Sequence, residues 1–184
     1  MDTEAALVAR SRDGNVEAFA RLIELHQPVA LRVAYAIAGP DAEDAVQDAF
    51  VKAFTRLPQF DGDQRFGPWL LAIVANESRN RRRSSGRRHA VELRLATRPG
   101  GSLAGTPSAD PAQAVVHADD ADRLLHAVAR LSPRHREVVA LRFFADLSET
   151  ETADALGCAV GTVKSRLSRA LVRLRSALSE EAVR

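Results

Sequence analysis

Asp44 and Asp48 stand four residues apart, the spacing that brings two carboxylates to one face of a helix. Such a pair can hold a metal ion or share a proton, but no His or third acid is spaced to complete the set. The histidines, His26, His89, His117, His126 and His135, form no close ligand pair. Cys158 is the only cysteine, so no intramolecular disulfide can form, and it reads as a small packing residue in a turn. With no phosphate loop and no activated nucleophile, neither catalysis nor a metal or other cofactor is expected. Like charges at this spacing slightly destabilise a helix. The acidic face is therefore either simply solvated or a docking face for a basic partner, and these residues alone leave both open.

The cationic residues point further. Arg79, Asn80, Arg81, Arg82 and Arg83 run consecutively, with Arg87 and Arg88 soon after, a density of one sign that a neutral surface does not need. On a helix, Asn76, Arg79, Asn80 and Arg83 share an outer side while Leu70, Ile73 and Val74 face a core, and Trp69 stands at the helix start. Single-stranded nucleic acid is bound by such a combination, with rings stacking on bases, amides bonding to their edges and Arg following phosphates. Trp69 also suits a plain packing role. Farther on, residues 160–178 carry Lys164, Arg166, Arg169, Arg173 and Arg175 and no acid, whereas 146–154 carry four acids and no base. The later helix thus offers its own positive surface to phosphates and base edges.

The elements that must position these groups are helical throughout. A weak opening helix ends at Asp13-Gly14. Phe19, Leu22, Ile23, His26, Ala30, Val33 and Ile37 then form a helical stripe, which Pro28 is expected to kink or break near Gln27. Asp41 reads as the N-cap of the next helix, which buries Val46, Ala49, Phe50, Ala53 and Leu57 and presents Asp44, Gln47, Asp48 and Val51 on the other side. Pro68 suits the first position of the helix that carries Trp69 and the arginines. Residues 84–118, rich in Pro, Gly and Ser, read as a linker. As a flexible coil of about 35 residues, its ends would average roughly 30 to 35 Å apart.

Beyond it, Ala121, Leu124, Leu125 and Val128 should face inward on one helix, and Ser132-Pro133 should start another whose Val138, Val139, Leu141 and Phe143 join a second small core. Ser148 and Glu151 have capping-box spacing, and Gly157 permits the positive φ of a tight exit. The last helix places Val163, Leu167, Ala170, Leu171, Leu174 and Leu178 inward. Two helices, a short Gly-containing turn and a basic second helix describe a helix-turn-helix. The expectation is an all-α chain of two small helical domains, 1–84 and 119–184, joined by a flexible linker at 85–118.

At 184 residues, 46% hydrophobic and 27% charged, the composition suits one or two small domains with real cores. The net charge of +2 hides its distribution. Residues 1–63 balance to −5 and residues 64–98 to +7, so different segments suit different partners. No run approaches the ~18 to 20 apolar residues of a membrane span, and an N-terminus with Asp2 and Glu4 does not read as a signal peptide. A cytoplasmic protein without membrane insertion is expected.

Two stretches now point the same way. Residues 41–50 (DAEDAVQDAF), then 56–60 (RLPQF), 66–70 (FGPWL) and 73–76 (IVAN), resemble the second conserved region of bacterial RNA polymerase sigma factors. Residues 131–139 (LSPRHREVV), with Leu147-Ser148 and 161–167 (GTVKSRL), resemble their fourth region. Only a short linker separates them, the layout of the extracytoplasmic-function (ECF) group. The resemblance implies a specificity subunit. Its acidic face, Asp44, Gln47 and Asp48 supported by Phe50, would dock on the clamp helices of the largest subunit of core RNA polymerase. Trp69, Asn76, Arg79, Asn80, Arg82 and Arg83 would capture the minus-ten element of promoter DNA. Lys164, Ser165, Arg166, Ser168 and Arg169 would read the minus-thirty-five element. An anti-sigma protein is a further partner usual in the group. Three positions depart from the family pattern. Ala159 stands where relatives often carry a capping Ser, Gly67 where a larger polar residue is common, and Ser168 where a bulkier side chain is frequent. The second reading is a stand-alone helix-turn-helix regulator, in which the acidic face and the Arg-rich helix have no natural place.

Overall fold

The computed structural model describes residues 3–62, 64–96 and 115–182, with side chains in 3–62, 64–87 and 123–179. Every regular element among them is helical. Helix α1 (Glu4–Arg12) starts at Thr3, whose hydroxyl accepts the Ala6 N–H, and α2 (Val16–Ala38) starts at Asn15, whose side chain accepts the Ala18 N–H at 2.8 Å. The expected break at Pro28 does not occur, and α2 runs through it. Pro inside a helix costs about 3 kcal/mol, but Leu22, Ala30, Val33, Ala34 and Ile37 are buried on the same face. At about 25 cal/mol per Å², burial on both sides of the proline outweighs that cost.

Helix α3 (Ala42–Arg56) buries Val46, Ala49, Phe50 and Ala53 as expected. Asp41, however, does not cap it. A 3-10 turn, Gly39–Asp41, leads straight into α3, and the Ala42 N–H bonds to the Gly39 carbonyl. The Asp41 carboxylate is left to accept the Ser85 hydroxyl instead. Helix α4 (Phe66–Ala96) begins two residues before Pro68 and continues past the expected end of the domain at residue 84. Between Pro68 and Pro99 the only breaker is Gly86, which costs a helix about 1 kcal/mol. Residues 97–114, most of the expected linker, lie outside the described residues.

The C-terminal half comprises α5 (Val115–Arg130), α6 (Pro133–Val139) with a π-helical continuation Ala140–Phe144, α7 (Glu149–Leu156) and α8 (Val160–Ala182). The capping box forms in full, with Glu151 N–H on Ser148 Oγ at 3.2 Å and Ser148 N–H on Glu151 Oε2 at 2.8 Å. Gly157 takes φ 60°, the left-handed exit that lets α8 turn away from α7. Ser132 precedes α6 without a side-chain capping bond. Phe143 is exposed rather than part of a core, and Leu124, Leu125 and Leu171 are only partly covered.

The two halves do not keep separate cores. One apolar cluster joins Leu22, Val33 and Val74 to Val128, Leu141, Leu147 and Leu174, because α2 and α4 pack against α5, α6, the π-helical turn and α7. Among the described residues, Val138, Ala153 and Val163 form a separate small cluster within the helix-turn-helix, with Leu156 and Leu167 packed against it.

Candidate nucleic-acid interface

In α8, Val163, Ala170 and Leu174 are buried at helical spacing. That leaves Lys164, Ser165, Ser168 and Arg169 exposed together on the opposite side of its N-terminal half. Lys164 Nζ lies 3.4 Å from Glu149 Oε2 at the start of α7, and the Ser165 hydroxyl turns back to the Thr162 carbonyl. Arg166 is half-buried, with Nη1 3.9 Å from Cys158 Sγ, which places it at the edge of that face. At the helix start, the Thr162 and Val163 N–H groups bond to the Ala159 carbonyl, and a methyl side chain offers no cap.

His135, under the same helix, has its pKa pulled below the ordinary value by burial, then by the charges of Arg173, Arg169 and Arg166. The three guanidinium groups beside it make this side of α8 positive, which favours phosphate.

On α4, Asn76, Asn80 and Arg83 are exposed on the outer side, while Leu70, Ile73 and Val74 are buried beneath. Both amides are oriented by Glu77, a buried acid that also takes Lys52 at 2.6 Å. Arg79 is not free. Its Nε donates to Glu137 Oε1 of α6 at 2.9 Å. Arg82 Nη1 donates to the Ile37 carbonyl, and burial lowers its pKa, with the Glu137 charge opposing. Trp69 is half-buried in an aromatic cluster, its ring centroid 4.8 Å from Phe60 and 5.6 Å from Phe66, and what remains open faces α7 across a shallow cleft. A Cβ on Gly67 would lie in van der Waals contact with the His26 ring, 3.4 Å from Cε1.

On α3, Asp44, Gln47 and Asp48 share the outer face, and Phe50 is buried under it. Arg81 reaches across from α4 to both acids, Nε to Asp48 Oδ2 at 2.7 Å and Nη1 to Asp44 Oδ2 at 3.1 Å. One guanidinium against two carboxylates leaves a face that is partly neutralised and still net acidic, held together by Arg81. Sequence reasoning missed Glu77, Arg136 and Glu137, three buried charges that hold the surfaces in place. A signal was present in Glu77 and Glu137, which fall among apolar residues at core spacing.

These features define a helical DNA-binding protein with a second, arginine-rich surface. Residues 22–88 match the family model of sigma-70 region 2 and residues 121–174 that of sigma-70 region 4. The chain is 32% identical to the ECF RNA polymerase sigma-E factor of Escherichia coli, with 91% of this chain and 90% of that protein covered. It is 27% identical to the ECF sigma factor SigW of Bacillus subtilis, over 94% and 95%. Among solved structures it resembles CnrH, solved with the cytosolic domain of CnrY, at a TM-score of 0.69 and 29% identity over 97% of this chain and 99% of that one. It also resembles the sigma factor RpoE, solved with the anti-sigma factor NepR from Bartonella quintana, at 0.68 and 29% over 88% and 96%. The chain belongs to the ECF group of bacterial RNA polymerase sigma factors, which direct promoter-specific initiation through a region-two helical domain and a region-four helix-turn-helix. A stand-alone regulator is not favoured.

Proposed function

We propose that the three faces divide the work of initiation. The N-terminal half of α8 enters the major groove of the minus-thirty-five element, where Lys164 and Arg169 reach base edges, Ser165 and Ser168 line the approach, and Arg166 goes to phosphate. The outer side of α4, with Asn76, Arg79, Asn80, Arg82, Arg83 and the edge of Trp69, holds the unpaired minus-ten strand. The α3 face of Asp44, Gln47 and Asp48 docks on the clamp helices of the largest polymerase subunit, and Phe50 supports it from below. The observation that carries this reading is α8, whose four exposed polar and basic residues stand on one face over a buried apolar one.

The chain supplies no bond chemistry, and RNA synthesis belongs to the polymerase. Captured bases favour the open promoter because they are available for binding only once the duplex has melted. The protein works in the cytoplasm, and among the described residues no helix is long and apolar enough to cross a membrane. An anti-sigma protein belongs among its partners, supported by relatives solved with CnrY and NepR. Run-off transcription tests the function. Start-site-specific transcripts should need both this chain and core polymerase, and tight promoter-specific binding that core leaves unchanged would overturn the proposal.

A further inference from the structure

A cavity of about 680 Å³ opens where α4 meets α6, α7 and α8. Six arginines line it, Arg79, Arg82 and Arg83 from α4, Arg134 and Arg136 from α6, and Arg166 from α8. Glu137 is the one carboxylate among the lining residues, so six guanidinium groups against one acid make a formal +5. Glu137 is already engaged by Arg79. Arg136 is 3% exposed and donates to four backbone carbonyls, those of Ile37, Val128, Ala129 and Leu131. Carbonyls satisfy its N–H groups but do not cancel its charge. Arg83 and Arg134 are exposed, with no hydrogen bond or ion pair among the described residues. Like charges gathered in a partly enclosed space repel one another more than they would in open water. Guanidinium forks also match phosphate oxygens two at a time.

We propose that this cleft is a binding site for a small polyphosphate anion, a chain of about three phosphates held by arginines of both halves. The volume is of ligand size, and three or four phosphate charges would relieve most of the +5. Bound there, the anion links α4 to α6 and α8 and stabilises the packed arrangement of the two halves. It also occupies Arg79, Arg82 and Arg83, so it excludes single-stranded DNA from them. Only this last point rests on the function proposed for α4; the site itself stands on the cleft.

The test is calorimetric titration of the full-length protein with inorganic tripolyphosphate, with ATP and sulfate run at the same ionic strength. Tripolyphosphate should bind once per chain, at least about tenfold tighter than sulfate. Arg83→Ala with Arg134→Ala should weaken it by about tenfold or more, whereas Arg21→Ala with Arg56→Ala, which removes the same charge elsewhere, should change it by less than about twofold. ATP binding as tightly as tripolyphosphate assigns the site to nucleoside polyphosphates; weaker ATP binding assigns it to the inorganic chain. Unsaturable binding, equal affinity for sulfate, or equal loss in both variant pairs would overturn the site. Tripolyphosphate that binds yet fails to displace a labelled single-stranded DNA would leave the site standing and overturn the assignment of α4.

Discussion

Replacing Glu137 by Gln removes the one carboxylate that holds Arg79 against α6. The pair is close, 2.9 Å, with the two side chains 26% and 9% exposed. Exposed pairs contribute about 0 to 1 kcal/mol, and leaving a buried charge unpartnered costs about 3 to 5 kcal/mol. Arg79 keeps a quarter of its side chain in water, and the Gln oxygen still accepts its Nε–H. The loss therefore falls nearer the lower range, at about 1 to 1.5 kcal/mol. Because the pair spans the two halves, this free energy opposes exposure of Arg79. Its loss should raise the affinity of the free protein for single-stranded DNA about five- to tenfold. Fluorescence anisotropy of a labelled oligonucleotide measures the change. Glu137→Gln also makes the cleft more positive, which by itself would strengthen DNA binding, so the same change is made in an Arg79→Ala background. There the gain should largely vanish. Unchanged affinity in Glu137→Gln, or an equal gain without Arg79, refutes the idea that Arg79 is a masked DNA contact.

Three further outcomes are expected. Lys164→Ala or Arg169→Ala should relax preference at one or two upstream base pairs by about 1 to 3 kcal/mol each, read by holoenzyme binding to a promoter library; uniform weakening would make them phosphate contacts. Asp44→Asn with Asp48→Asn should strongly reduce capture of core polymerase, and capture at wild-type strength would refute the docking face. Neutral amides are preferable to lysines there, because Arg81 lies on both acids and a reversal would force cations together. Burial holds the pKa values of His26 and His135 below 6.5. Between the lowered values and 6.5 the unfolded chain binds more protons, so stability is full above pH 6.5 and declines as pH falls below it. Thermal unfolding midpoints between about pH 7.5 and 5.5 should show that slope, and His26→Gln with His135→Gln should flatten it; an unaltered slope would refute the assignment.

Local chemistry was legible in the sequence wherever a short pattern has one physical solution. Ser148 with Glu151, Gly157 and the inward stripe of Val163, Ala170 and Leu174 all appear as read. Pro28 and Asp41 depart from their local preferences because each lost to something distant, an apolar face in one case and Ser85 in the other. Leu124, Leu171 and Phe143 have the hydrophobicity of core residues but lie at the edge of what the helices cover. The joining of the two halves was not legible at all. It rests on the shared apolar cluster together with Arg136 reaching Ile37 and Glu137 reaching Arg79, polar contacts 99 and 58 residues apart, for which one sequence has no periodicity to show.

That joining orders the three proposed faces by the cost of freeing them. Lys164 and Glu149 form a half-exposed pair, and so do Arg81 and its acids. Such pairs contribute at most about 1 kcal/mol, so a phosphate or a partner's charge can replace them with little loss. The α8 and α3 faces are accordingly ready in the packed protein. The α4 face is different. Arg79 is tied to a nearly buried acid, Arg82 to a backbone carbonyl, and the open edge of Trp69 looks into α7. Exposing Arg79 and Trp69 requires α4 to part from α6 and α7, and with them the apolar contact between the halves, whereas Arg82 must leave the Ile37 carbonyl of α2. Polymerase docking on α3 and duplex binding on α8 can supply that free energy only if they favour the separated arrangement. The capture surface would then open after the chain has been placed on polymerase, which keeps the free protein from engaging single strands elsewhere.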